Sequence, residues 1–384
     1  MQEHLAAPAY CLPTLRNGIM NFKATIGGIR LESQDFDAIM RGITKGLTGN
    51  PKEDFAYLKQ KMEEYKDHPM GKEILRACGR LMYQTIPDDL REKFDDAVQK
   101  DSLGSNAALE EAQFQTMKGN LEMAEKILES AIHRWEKLYE TGAFQDDRVS
   151  EYRDFENPME YYLYCARKES EKDVRRIPEP VSSLYLAYGY TLFDMDRLDE
   201  AEAALKTAHH WDPASTQILY ELAEVYKKQG QLKPFWDLTI EALSLAFTRA
   251  QVSRGYRNLG YYFIEKKAWT DAIVFFYLAL HFCAEKDEHG RMMIQNELLY
   301  IHMQTHQDID PPTEEDTYAC LEKHGIPFGV DESVLRLAYN LGQQAKEAGV
   351  KDDAIFFFKI VYGIVQIDEI RDELEALGVT VAEH

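Results

Sequence analysis

The chain has 384 residues, 45% of them apolar, and its 66 acidic residues outnumber 44 basic ones to give a formal net charge of −22. A field of this sign repels phosphate backbones and argues against nucleic acid as a general partner. No apolar run approaches the roughly 20 residues of a membrane-spanning helix, and the first residues lack the basic start and apolar run of a secretory signal. Five cysteines without a pairing motif favour free thiols, so we expect a cytoplasmic protein that binds no membrane.

The N-terminal quarter is predicted to be helical after an irregular start. Residues 1–34 are expected to form an irregular leader, because prolines and the Gly27–Gly28 pair interrupt any helix. Residues 35–100 are predicted to be an N-terminal helical region, with apolar residues at three- and four-residue spacing. Its helices are expected from Asp35, over 53–65, over 71–83 and from Pro87.

The next stretch predicts a helical hairpin followed by an interruption. Residues 101–145 carry small residues at helical spacing and are predicted to form two packed helices. Residues 146–181 are polar and are predicted to be an insertion with one helix, which Asn157 and Pro158 begin. An insertion in a repeat array often lies on the binding face. The alternative is a packing helix beside a solvated loop.

Residues 182–213 predict the best-formed hairpin of the chain. The first helix carries Tyr185, Tyr188, Gly189 and Leu192 on one face, and the second repeats the spacing with small residues at 201 and 208. A polar turn joins the two helices, and Pro213 ends the second one. Small residues at these positions allow two backbones to approach closely. A lone hairpin cannot bury both faces, so neighbouring hairpins are expected.

This hairpin resembles a tetratricopeptide repeat at all eight positions that define that family. The resemblance implies an all-α fold, an α-α superhelix (TPR solenoid) that follows the N-terminal helical region. It gives three TPR-type repeats over 182–285, degenerate and final repeats over 286–366, a degenerate hairpin over 101–145, and a capping helix and tail over 367–384. In the second repeat Phe235 takes the place of the usual alanine, which predicts wider helix packing or a shifted hairpin there.

The resemblance also implies that the first helix of each hairpin lines a concave groove. Carrying the family's inward positions onto this chain predicts ten binding residues: Tyr190, Phe193, Tyr220, Glu224, Lys227, Arg254, Arg257, Tyr261, Tyr339 and Gln343. Tyrosine offers rigid contact area and arginine forms paired bonds to carboxylates. We therefore expect a groove for an extended or helical protein segment with an acidic contact near Arg254 and Arg257. The alternative is that these arginines are only solvated surface.

Some family members hold a C-terminal carboxylate with a lysine and asparagine clamp. The equivalent positions here are Leu186, Tyr190, Arg257 and Tyr261, so that clamp is not reproduced.

No motif in the sequence indicates catalysis. Phosphate-binding loops, GxSxG, paired CxxC and HExxH are all missing, so no enzymatic activity, cofactor or metal is expected. His302 and His306 could share a helix face, but no further ligand accompanies them in sequence. The leading interpretation is a non-enzymatic protein- or peptide-binding scaffold of unknown oligomeric state. Its alternatives are a bacterial peptide-sensing signalling regulator with an N-terminal effector region, and an enzyme whose site lies in that region.

Overall fold

The computed structural model describes residues 33–85, 104–284 and 286–380. Residues 1–32 of the leader predicted over 1–34 and the predicted helix from Pro87 lie outside these residues, whereas residues 33 and 34 already belong to the first helix. The described part confirms the all-α class, because helices account for all its regular structure except one pair of short strands. None of its helices combines the length and the apolar content that crossing a membrane would need. The chain divides into two compact units, which meet in sequence at Gly329 and Val330.

Three helices form a small bundle at the start of the first unit: α1 (Ser33–Lys45), α2 (Pro51–Tyr65) and α3 (Gly71–Thr85). The side chain of Asn50 begins α2 by accepting a hydrogen bond from the Lys52 backbone N–H at 3.1 Å. The bundle has a core of its own, made of Ile43, Leu58, Met70, Ile74 and Cys78.

The rest of the first unit is a row of helical hairpins with one insertion. Its elements are α4 (104–117), α5 (Leu121–Glu140), β1 (Ser150–Arg153), α6 (Pro158–Arg167), β2 (Asp173–Arg176), α7 (Val181–Asp194), α8 (Leu198–Trp211), α9 (Thr216–Lys228), α10 (Leu232–Leu245), α11 (Arg249–Glu265), α12 (Trp269–Phe282), α13 (Glu288–Thr305) and α14 (Glu314–His324).

Close backbone approach explains why each hairpin closes. A Cβ atom added at Gly189 in α7 would lie 2.6 Å from Cγ of Leu205 in α8, so only glycine fits there. Ala201 and Ala208 complete the contact and are fully buried. The prediction that small residues bring the two helices together is confirmed for this hairpin.

The insertion contains more structure than the sequence predicted. The expected helix is present as α6, and Asn157 begins it through a capping box with Glu160. Strands β1 and β2 were not predicted; they pair in parallel, from Ser150 with Asp173 to Arg153 with Arg176. Both strands are short and polar, and they pair across 23 positions, so no local alternation reveals them.

Two buried carboxyl groups join the insertion to α8. Glu160 in α6 is hydrogen-bonded to Asp212, the residue that follows α8, and both side chains are almost fully buried. Burial is the main cause that raises the pKa of both groups. The negative charge of Glu156 raises the pKa of Glu160 further, and the negative charge of Glu160 raises the pKa of Asp212 further. The pair therefore retains a proton at a pH where exposed carboxyl groups have lost theirs.

Helix α11 also bonds to the segment that follows α14. The buried hydroxyl of Tyr256 donates to the Pro327 carbonyl at 2.7 Å and accepts from the Gly329 N–H at 2.6 Å. These two bonds close the C-terminal end of the first unit.

The second unit holds α15 (Glu332–Glu347), α16 (Lys351–Val365) and α17 (Asp368–Ala376). Helices α15 and α16 repeat the same packing, because a Cβ atom at Gly342 would lie 2.7 Å from Cε1 of Phe358. Asp352 and Asp353 lie in the first turn of α16, where the helix dipole favours negative charge.

Candidate binding groove

The first helices of successive hairpins lie side by side in the first unit. Helix α7 contacts α9, α9 contacts α11, and α11 contacts α13. We call the surface that carries the predicted inward positions of these helices the inner face. Two cavities open along it.

The first cavity, the acidic pocket, lies between α4, α7 and α9 and has a volume of about 560 Å³. Leu109, Leu186 and Tyr190 supply apolar lining, and the ring of Tyr190 is 45% exposed. Asp194 and Glu221 line the same cavity. The negative charge of Asp194 is the main cause that raises the pKa of the Tyr190 hydroxyl; burial and the charge of Glu221 raise it further. The pocket is thus apolar along its walls and negative at its edge.

The second cavity, the basic pocket, lies between α11 and α13 and has a volume of about 360 Å³. Arg254, Arg257 and Lys286 line it, together with Asp287, which accepts the Gly290 N–H at the start of α13. Positive side chains thus outnumber the one carboxylate around this cavity.

Arg257 is a partly buried cation of the basic pocket, and Glu224 and Asp287 act on its charge only from a distance. Burial is the main cause that lowers its pKa, and the charge of Arg254 adds to the effect. Within the part of the chain that the structure describes, no carboxylate lies within 4.0 Å of its nitrogens. Its polar contact is weak, with Nη1 3.7 Å from the sulfur of Met293. A half-buried guanidinium of this kind favours an anionic ligand.

An ion pair separates the two pockets. Nη1 of Arg254 lies 2.9 Å from Oε1 of Glu221, so one partner lines the basic pocket and the other the acidic pocket. The guanidinium lies over the Tyr220 ring at 5.1 Å, and the Tyr220 hydroxyl donates to the Gln251 carbonyl at 2.9 Å. Gln251 in turn completes the capping box that begins α11. The position of Arg254 is therefore determined by packing and by helix capping together.

A third group of polar contacts follows along α9 and α11. Nζ of Lys227 lies 2.8 Å from Glu224 and 4.6 Å from the centre of the Tyr261 ring. Glu297 of α13 is half-buried beside them; burial raises its pKa, while Lys227 and Arg257 act in the opposite direction. These charges continue the inner face beyond the ion pair.

Part of the row of hairpins in the first unit matches a known protein family. Residues 192–234, from the end of α7 to the start of α10, match the tetratricopeptide repeat family. This stretch of the chain therefore contains a tetratricopeptide repeat. Tetratricopeptide repeats are generally non-catalytic modules that mediate protein interactions. Among curated proteins, none was found that matches the chain.

The helices of the inner face bring together most of the residues that the family positions predicted. Tyr190, Glu224, Lys227, Arg254, Arg257 and Tyr261 all belong to helices of the inner face. Phe193 follows Tyr190 in α7, and the ammonium group of Lys228 lies 4.7 Å from the centre of its ring. Tyr339 and Gln343 lie in α15 of the second unit, where the Gln343 amide donates to the Tyr339 hydroxyl at 3.1 Å.

The prediction that Tyr220 is a binding residue is wrong. Its side chain is 1% exposed, so its ring supports Arg254 and offers no surface to a ligand. The position faces inward in the repeat pattern, but the close approach of Gly255, whose Cβ would lie 2.6 Å from the Tyr220 hydroxyl, encloses the ring.

Sequence reasoning missed three acidic residues of the inner face, namely Asp194, Glu221 and Glu297. One signal was available for Glu221, because it precedes Arg254 by 33 residues, close to one repeat period. Residues one period apart are neighbours in a repeat array. Asp194 fell within the predicted turn, and Glu297 in a hairpin where the repeat pattern is degenerate.

Proposed function

We propose that this protein is a non-enzymatic scaffold that binds an extended or helical protein segment along its inner face. A basic side chain of the partner enters the acidic pocket, and an acidic side chain pairs with Arg257. The observation that carries the proposal is the Glu221–Arg254 ion pair between two cavities of opposite charge.

The acidic pocket suits an arginine or lysine of the partner. Such side chains place a long apolar stem along apolar walls while the charged head reaches a carboxylate. Leu186 and Tyr190 offer the walls and Asp194 offers the carboxylate, whereas Glu221 is already paired with Arg254. Among the described residues, Asp194 has no cation within 4.0 Å. Burial raises its pKa and the charge of Lys228 acts in the opposite direction, so a partner cation would stabilise its ionised form.

The sequence led us to expect an acidic residue of the partner near Arg254 and Arg257, and we propose that this residue pairs with Arg257. Arg254 already pairs with Glu221 at 2.9 Å, so a ligand carboxylate there would have to displace an existing bond. Among the described residues Arg257 has no carboxylate within 4.0 Å; Glu224 and Asp287 act on it from further away, and burial removes part of its hydration. A partner carboxylate would offset that loss with charge-assisted hydrogen bonds.

The test begins with peptides selected on the full-length protein from a displayed random library. A selected peptide is synthesised, and its dissociation constant is measured with wild type, Arg257→Glu and the control Lys233→Glu. Lys233 lies in α10, its side chain is 82% exposed, and its reversal changes the net charge equally. We expect Arg257→Glu to weaken binding about tenfold or more, which corresponds to about 1.4 kcal/mol, and Lys233→Glu to leave it nearly unchanged.

A compensating change sharpens the test. Replacing the acidic residue of the peptide with lysine should restore binding to Arg257→Glu and weaken binding to wild type. Equal affinity of wild type and Arg257→Glu for every selected peptide would refute the proposed contact.

A further inference from the structure

We propose that Asp271, Cys320 and His324 bind one Zn²⁺ ion that links α12 to α14. A carboxylate oxygen, a thiol sulfur and an imidazole nitrogen from these residues all lie within 4.8 Å of one another. Nε2 of His324 is 3.0 Å from Oδ2 of Asp271, and Sγ of Cys320 is 3.8 Å from Oδ1. Tetrahedral zinc, with bonds of about 2.0–2.3 Å, separates neighbouring ligand atoms by roughly 3.3–3.8 Å. The spacings here, up to 4.8 Å, bracket this range, so small side-chain rotations would bring the three donor atoms around one ion.

The chain brings these ligands together from two separate helices. Cys320 and His324 are four residues apart in α14, so they share one helix face. Asp271 lies in the first turn of α12, and α12 packs against α14. A thiolate, an imidazole and a carboxylate form a ligand set that suits zinc, with a water molecule in the fourth position.

Packing holds the ligands in place. The centres of the His324 and Phe263 rings are 4.5 Å apart, and the His324 side chain is 17% exposed. Cys320 is buried, and the Asp271 side chain is 13% exposed. Ligands held this way lose little freedom when an ion binds.

Two changes must accompany binding. Lys323 now lies 2.8 Å from Oδ2 of Asp271, but its side chain is 60% exposed and can turn into solvent. The Cys320 thiol carries a proton in the absence of metal, because burial and Asp271 raise its pKa to about 12. On binding, the S–H bond breaks, a sulfur–zinc bond forms and the proton passes to the buffer. No electron is transferred.

The test uses the full-length protein after treatment with a chelator. Zn²⁺ is titrated by calorimetry, and Co²⁺ is added to a second sample to reveal the charge-transfer absorption of a thiolate ligand. We expect one ion per chain, a thiolate–cobalt band, and a melting temperature that rises with added Zn²⁺. Cys320→Ser and His324→Gln should each weaken zinc binding by more than the roughly 10- to 100-fold that loss of an outer-shell partner costs.

Two matched controls locate the site. Cys165→Ser removes a different thiol, and His302→Gln removes a histidine of α13 whose Nδ1 contacts the Gln307 carbonyl at 2.6 Å. Both should bind zinc as wild type does. Absence of zinc binding or of a thiolate band in the wild-type protein would overturn the proposal, whether or not the variants fold. Unchanged affinity in both Cys320→Ser and His324→Gln would overturn it as well.

Discussion

Replacing Asp212 with asparagine is expected to remove a pH dependence of stability. The wild-type pair with Glu160 shares one buried proton, and Asp212 also accepts the Ala214 N–H at 3.1 Å. Asparagine has the same shape, can accept from Ala214 and can donate its amide to an ionised Glu160. The substitution therefore keeps the hydrogen bonds and removes the proton.

The magnitude follows from the number of bound protons. The unfolded chain loses the aspartate proton near its ordinary pKa of about 4, whereas burial and Glu160 raise the pKa of Asp212 in the folded chain to about 9. The stabilisation is complete below the unfolded value and declines as pH rises toward the folded value. One proton corresponds to about 1.4 kcal/mol per pH unit, so wild type should lose about 3 kcal/mol of unfolding free energy between pH 6 and pH 8 relative to Asp212→Asn.

Urea unfolding followed by circular dichroism at pH 6, 7 and 8 measures this difference, and amide exchange in α6 reports it locally. Asp199→Asn is the matched control, because it removes an exposed carboxylate from the first turn of α8. Its pH dependence should equal that of wild type. If Asp212→Asn and wild type lose the same stability between pH 6 and pH 8, the shared proton is refuted.

Two further predictions concern packing in α11. Gly255→Ala should lower the unfolding free energy by about 1–3 kcal/mol, because the new Cβ would lie 2.3 Å from Cδ2 of Leu243. The control is Gly79→Ala in α3, where a Cβ would have nothing within 4 Å. Equal melting temperatures of the two variants would contradict the argument. Tyr256→Phe should lower the free energy of unfolding, measured by calorimetry, by about 1–3 kcal/mol, because it leaves the buried Gly329 N–H without its acceptor. Unchanged amide exchange at Gly329 would contradict this reasoning.

The sequence predicted hairpins best where small residues and apolar spacing coincide. In residues 182–213 the glycine and alanine positions alone define which helix faces meet, and the structure confirms them at Gly189. The capping box at Asn157 was equally readable, because its chemistry lies within four residues. Both signals are local, so one sequence suffices to detect them.

Features that depend on distant residues were not predictable in the same way. Glu160 and Asp212 are separated by 52 positions, and the sequence around each of them gives no local signal that its side chain is buried. Tyr220 shows the converse error, since its repeat position is correct but a glycine in the next hairpin encloses it. A repeat pattern gives the direction of a side chain, whereas tertiary packing determines its exposure.

The bonds of Tyr256 change how the first unit should come apart. In a repeat array each hairpin touches only its neighbours, so unfolding usually proceeds from an end, one hairpin at a time. Here the Tyr256 hydroxyl reaches past α12, α13 and α14 to Pro327 and Gly329. Fraying of the last hairpin must break these bonds first, and that couples α11 to α14. We expect residues 249–329 to lose exchange protection in a single step, so that one wall of the basic pocket cannot open by itself.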